Sequence, residues 1–93
     1  MTQDGDIFEV PIDGVLDLHT FSPADCRSLV PEYLRACREK EILQVRIIHG
    51  KGRGVLRKSV QSILSREPAV LEYHQAAEDA GGCGATIVRL RPA

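Results

Sequence analysis

The sequence predicts an α/β domain of two layers, β-α-β-α-β-β in order, in which a four-stranded mixed sheet carries two helices. Three observations lead there. Short apolar segments rich in Val, Ile and Leu alternate with two longer segments whose apolar residues recur every three or four positions. Glycine and proline fall between these segments and not within them, one proline excepted. A chain of 93 residues also leaves room for one hydrophobic core only.

Val15-Leu16-Asp17-Leu18-His19 alternates in polarity and reads as a first strand. Ser22 is a natural N-cap, Pro23 suits the first helical position, and Asp25 lies near the positive end of the helix dipole. Cys26, Leu29, Val30, Tyr33, Leu34 and Cys37 then form one helical stripe. Pro31 interrupts it and predicts a kink or a break, since a proline costs about 3 kcal/mol inside a regular helix. Ile42 to Ile48 is nearly continuous in apolar character, as a strand buried on both faces would be. After HGKGRG comes a second helix with Val55, Leu56, Val60, Ile63 and Leu64 inward, ended by Pro68. Val70–Gln75 and Ala85–Leu90 complete the strands, with a glycine-rich loop between them. A right-handed crossover makes the first two strands parallel. Residues 1–12 read as a loose polar arm and 13–93 as the domain.

Composition narrows the functions. At 43% hydrophobic and 27% charged the chain resembles an ordinary globular protein, without an apolar run long enough to span a membrane. The acidic start lacks the order of a signal peptide. Cys26, Cys37 and Cys83 are odd in number and lack C-x-x-C spacing, against a disulfide framework or a thiolate zinc site. The expectation is a reduced, cytoplasmic monomer. With no Trp, two Phe and two Tyr, base stacking is poorly supplied. The net charge of −1 hides a division: residues 1–25 hold six acids and no Lys or Arg, whereas residues 42–66 hold six bases and no acid. That basic segment points to nucleic acid.

Three clusters carry candidate chemistry. Asp17 and His19, two apart on a strand, share a face while Leu16 and Leu18 turn to the core. A bare Asp-x-His also occurs as the polar side of a half-exposed strand. His49-Gly50-Lys51-Gly52-Arg53-Gly54 joins a strand to a helix, so its glycines admit a close ligand, helix N–H groups face an anion, and Lys51, Arg53 and Arg57 add charge. It has neither P-loop nor G-x-G-x-x-G spacing, and a flexible turn is the plainer alternative. Gly81, Gly82 and Gly84 suit a tight hairpin or a loop that lets a backbone pass close by. With parallel first strands, His19 and His49 both reach carboxyl ends, the edge where open α/β sheets bind ligands.

Those blocks are familiar together. LDLHT at Leu16–Thr20, IIHGKGRG at Ile47–Gly54 and GGCGATIVRL at Gly81–Leu90 resemble the signatures of the small MutS-related (Smr) domain. These usually read L-D-L-H-G, H-G-K-G-x-G and G-G-x-G-x-T-x-V, and the resemblance covers residues 13–92. It implies a fold like the C-terminal domain of a bacterial translation initiation factor, and binding to DNA or RNA with endonuclease or nicking activity in several members. By position it implies Asp17 and His19 as the catalytic pair. His49, Lys51 and Gly52 match the block credited with substrate binding and catalysis, and Gly54 and Arg57 extend its nucleic-acid contacts, with Gly81, Gly82 and Gly84 in the third block. Thr20 departs from the usual glycine.

On RNA, one histidine would deprotonate the 2′-hydroxyl and another protonate the leaving oxygen, with Asp17 orienting His19, and without a metal. DNA lacks that internal nucleophile, and Mg2+ or Mn2+ held by Asp17, His19 and His49 would help water attack. The competing expectation is a non-catalytic module that binds nucleic acid or the ribosome.

Overall fold

The computed structural model describes residues 11–52 and 54–93, so the acidic residues 4, 6 and 9 of the arm lie outside it. The elements are β1 (Val15–Asp17), α1 (Pro23–Glu39), β2 (Gln44–Ile48), α2 (Val55–Ser65), β3 (Val70–Gln75) and β4 (Ala85–Leu90), with 3-10 turns at Glu78–Ala80 and Gly82–Gly84. They make one sheet ordered β1-β2-β4-β3, β1 parallel to β2 and β4 antiparallel to both β2 and β3. This is the predicted α/β architecture.

Ser22 caps α1 as a reciprocal pair: its hydroxyl accepts from the Asp25 N–H at 3.1 Å, and the Asp25 carboxylate accepts from the Ser22 N–H at 3.2 Å. Of the kink or break expected at Pro31, the break is overturned, since α1 runs as one helix from Pro23 to Glu39. Proline forfeits one backbone bond, but the buried stripe on both sides of it, Cys26, Leu29 and Val30 before and Tyr33, Leu34 and Cys37 after, holds the two turns on the sheet.

The core lies between the sheet and the helices, where Leu16, Leu18, Val45, Ile47, Val88 and Leu90 meet the α1 stripe together with Val60 and Leu64 of α2. Two expectations change here. In β2 only Val45 and Ile47 are buried, while Gln44 is exposed and Arg46 and Ile48 are half-buried, so the strand is covered on one face. Its helices share one side of the sheet, which restores the alternation of a half-covered strand. Val55 is 56% exposed, not inward, because it is the first residue of α2 and stands at the rim of the sheet edge.

Tyr33 ties α1 to the entry of β1. Its hydroxyl accepts from the Gly14 N–H at 3.0 Å and lies 3.2 Å from the Val15 carbonyl oxygen, and burial pushes its pKa up to about 12. Tyr33→Phe strands both backbone groups, and the expected loss is about 1–3 kcal/mol of unfolding free energy, read from urea denaturation.

Candidate active site and nucleic-acid interface

Register brings the first two clusters together. Asp17 pairs with Ile48 across the parallel strands, and the Leu18 N–H donates to the Ile48 carbonyl at 2.7 Å. His19 therefore reaches the level of Gly50, where a Cβ added to Gly50 would sit 3.6 Å from that of His19. A turn follows, closed by the Phe21 N–H on the Leu18 carbonyl at 2.9 Å. Thr20 sits in that turn with negative φ, since Glu41 alone among the described non-glycine residues has positive φ. The backbone after His19 thus makes no demand for the family's usual glycine.

Asp17 grips His19 twice. Its Oδ1 lies 2.6 Å from His19 Nδ1 and accepts the His19 backbone N–H at 3.0 Å. These bonds, the side-chain one first, hold the Asp17 carboxyl below its ordinary value against a small opposing effect of burial. An ionised carboxylate only accepts, so Nδ1 carries the proton, and Nε2 has no hydrogen-bond partner among the described residues. The pair is open to solvent, with side chains 58% and 50% exposed for His19 and Asp17.

His49 is built differently. It is 4% exposed, with Nε2 2.9 Å from the Thr86 hydroxyl and Nδ1 3.1 Å from the Gly50 carbonyl. A carbonyl only accepts, so Nδ1 bears the proton and the Thr86 hydroxyl donates to Nε2. Burial lowers the His49 pKa, Arg57 works in the same direction, and the Gly50 carbonyl opposes them. His49 is thus a neutral, doubly bonded ring that pins the loop to β4. Thr86 was not a candidate from the sequence, although it stands in the third motif block.

The glycine loop is clamped from the other side by one atom. The Gly84 carbonyl accepts from both the His49 N–H, at 3.0 Å, and the Gly50 N–H, at 2.9 Å. Space is tight there, since a Cβ on Gly84 would come 3.1 Å from Lys51 Cγ and 3.5 Å from the Gly50 carbonyl carbon. Gly81 turns the chain into this clamp at φ 119°, and a Cβ on it would meet the Ala85 Cβ at 2.8 Å. At Gly54, φ 82° starts α2 with no side-chain cap and no acid in the first turn, so its first N–H groups are left for a ligand. Arg57 folds back over this start, its Nη2 3.4 Å from where a Gly54 Cβ would be.

A pocket of about 460 Å³ results, lined by His19, His49, Gly50, Gly52, Gly54, Val55, Leu56 and Arg57. Lys51 is exposed beside it, and Arg53 lies outside the described residues. Gly81 and Gly82 support the clamp from behind and do not line the pocket. Val55 and Leu56 are lining residues that the motifs did not single out. Among the described residues no three His, Cys, Asp or Glu side chains gather as a metal-binding group. Asp17 and His19 engage each other and His49 engages Thr86, so the donor set considered for Mg2+ or Mn2+ does not converge.

The fold is a two-layer α/β domain that gathers a carboxylate–histidine pair, a glycine loop containing Lys51 and a helix start without a side-chain cap at one sheet edge. The chain belongs to the Smr domain family, whose profile matches residues 16–91. It is 32% identical over 80 residues to an endonuclease MutS2 of Clostridium tetani, covering 86% of this chain and 10% of that protein. It is also 32% identical over 78 residues to a ribosome rescue factor SmrB of Tolumonas auensis, covering 84% of this chain and 45% of the relative. The chain thus spans about a tenth of the MutS2 proteins it matches. The crystal structure of the Smr domain of Thermus thermophilus MutS2 superposes with a TM-score of 0.82 at 32% identity, over 86% of this chain and all of that one. The stand-alone small MutS-related protein YdaL of Escherichia coli gives 0.80 at 28%, over 98% of this chain and 78% of YdaL.

Proposed function

We propose that this Smr domain is an endoribonuclease that binds RNA through the 49–54 loop and cleaves it with the Asp17–His19 pair. The observation that carries the reading is His19 on the pocket wall, its Nδ1 fixed by Asp17 at 2.6 Å and its Nε2 without a partner among the described residues. A phosphodiester seated on the first N–H groups of α2, with Arg57 on the pocket wall and Lys51 beside it, would have its negative charge offset as it rises in the transition state, and Arg53 of the same loop is proposed to add to this. His19 Nε2 takes the proton of the 2′-hydroxyl, and Asp17 stabilises the imidazolium. The 2′-oxygen–phosphorus bond forms and the phosphorus–5′-oxygen bond breaks. The products are a 2′,3′-cyclic phosphate and a 5′-hydroxyl, whose proton comes from solvent through the open pocket. His49 is assigned the role of positioning residue for the loop rather than of second proton carrier, because both its nitrogens are engaged. Gly52 and Gly54 admit the phosphate, and Gly81, Gly82 and Gly84 shape the clamp behind it.

The working unit is residues 13–93, acting as a monomer. The reduced cysteines Cys26, Cys37 and Cys83 fit a cytoplasmic setting, and no helix among the described residues is long and apolar enough to cross a membrane. A ribosomal partner is supported by the name of the Tolumonas relative.

The test is cleavage of single-stranded and structured RNA, the matching DNA, and RNA carrying one 2′-deoxy residue at the cut site, each with and without EDTA. Expected are cutting of RNA alone, resistance to EDTA, a cyclic phosphate end and protection by the single deoxy substitution. Cutting of DNA that EDTA abolishes would replace this mechanism with a metal-assisted one. Salt-sensitive binding without any cutting would leave a binding module.

A further inference from the structure

A second basic hollow lies outside the pocket, between the two helices. Its volume is about 490 Å³, and Arg27 and Pro31 of α1 form one wall while Lys58 and Ser62 of α2, with Arg66 capping its C-terminus, form the other. Both walls are regular: residues four apart share a helix face, which aligns Arg27 with Pro31 and Lys58 with Ser62 and Arg66. Arg27, Lys58 and Arg66 are exposed, and none makes an ion pair among the described residues. Glu67 also borders the hollow, but its Oε2 lies 3.3 Å from the Ala69 N–H, turned into the bend after α2. Three cations without an ion-pair partner among the described residues therefore face one groove, whose floor includes Ile63 and whose lining holds no aromatic ring.

Its placement ties it to the pocket. α1 leaves β1 just after His19, α2 leaves β2 just after the glycine loop, and Arg27 and Lys58 both fall at about the first turn of their helices. Arg57 of the pocket wall and Lys58 of the groove wall are consecutive residues of α2, so the groove begins beside the candidate site. From Lys58 to Arg66 the helix rises about 12 Å, the length of about three stacked nucleotide steps. Cations and hydroxyls without stacking rings suit phosphate and sugar, not base edges.

We propose that the α1–α2 groove holds the sugar–phosphate backbone of the single RNA strand flanking the cut site, through Arg27, Lys58 and Arg66 with Ser59 and Ser62 as hydroxyl donors. This rests on the endoribonuclease reading and extends it: substrates must continue several nucleotides past the cut, and the groove reads no sequence.

The experiment measures anisotropy of labelled, 2′-deoxy-protected RNAs of about 15 and about 4 nucleotides on the full chain between about 50 and 300 mM salt. The double variant Lys58→Ala/Arg66→Ala should bind the long RNA about tenfold more weakly at about 100 mM salt, with a log–log salt slope shallower by about 1.4, two phosphates at about 0.7 each. The short RNA should be bound as before. Ser62→Glu, which sets a carboxylate on the exposed groove wall, should weaken the long RNA alone. Lys51→Ala should weaken both. Unchanged affinity of the groove variants for the long RNA overturns the proposal while leaving the pocket reading intact, and an equal loss on the short RNA does the same. A dimer lost in the double variant with RNA affinity unchanged would give the groove to a second copy of the chain, again overturning it. If the parent binds neither RNA, the endoribonuclease reading fails and the groove assignment falls with it.

Discussion

His19→Ala is expected to lower the single-turnover rate of RNA cleavage about 10²- to 10⁴-fold, the range of a lost general base, while affinity for protected RNA stays within about threefold. The separation follows from how the site is divided. His19 stands at the end of β1, 58% exposed on its side chain, and contributes nothing to the core. The groups that would bind phosphate come from the loop after β2 and the start of α2, so removing the imidazole leaves them in place. Asp17→Asn should give a loss of rate of the same order, since an amide keeps the geometry but neither holds the ring in the required tautomer nor stabilises the imidazolium. A rate within tenfold of the parent in His19→Ala would remove this residue from the chemistry. A parallel collapse of binding would make it a contact residue instead.

Thr86→Val, nearly isosteric with the parent, is expected to cost about 1–3 kcal/mol of stability, because it leaves a buried ring nitrogen of His49 without its donor. The same ring makes the fold acid-sensitive. Its folded pKa lies below its unfolded value of about 6.5, so on acidification the unfolded chain takes the proton first. The contribution is fully present above about pH 6.5 and is lost as pH falls toward the folded value, at up to about 1.4 kcal/mol per pH unit. Asp17 has the opposite chemistry, a lowered carboxyl whose contribution is lost only below about pH 4, outside this window. Urea denaturation of the parent and His49→Gln between pH 7.5 and 5 checks the sign. The parent should lose stability across the range and the variant should lose less. Equal losses, or an unchanged Thr86→Val, would show that the ring is not held as described.

β3 and β4 have the bounds the sequence indicates, because Pro68 and the glycine loop punctuate them and Thr86, Val88 and Leu90 carry the strand period in β4, although β3 shifts register between Val70 and Glu72. α1 was legible as a stripe but not as one piece. A proline penalty is local, whereas what outweighs it is contact between residues far apart in the chain, such as Tyr33 with Gly14. The motifs identified which residues to watch at the sheet edge, yet the role of His49 was obscured by its neighbours. A histidine before a glycine loop suggests a solvent-facing group. Counting by twos from Val45 and Ile47 would have placed it on the helix side, as counting back from Leu90 and Val88 places Thr86. Val55 was misread for a related reason, since periodicity does not say where a helix leaves its cover. The helix groove left no motif at all, because it requires two helices to be brought side by side.

Among the described residues β1 is the shortest strand, three residues paired with β2 alone, while β2 and β4 each have two neighbours in the sheet. The pair assigned to cutting is suspended from that margin, and the loop assigned to gripping is anchored in the interior through the Gly84 carbonyl. The two tasks therefore have separate thermodynamic fates. A fluctuation that peels β1 away would withdraw Asp17 and His19 yet leave the loop seated on β4. Tension on the chain ahead of β1 could thus disarm the domain without making it release its strand, a safety catch located in the margin of the sheet.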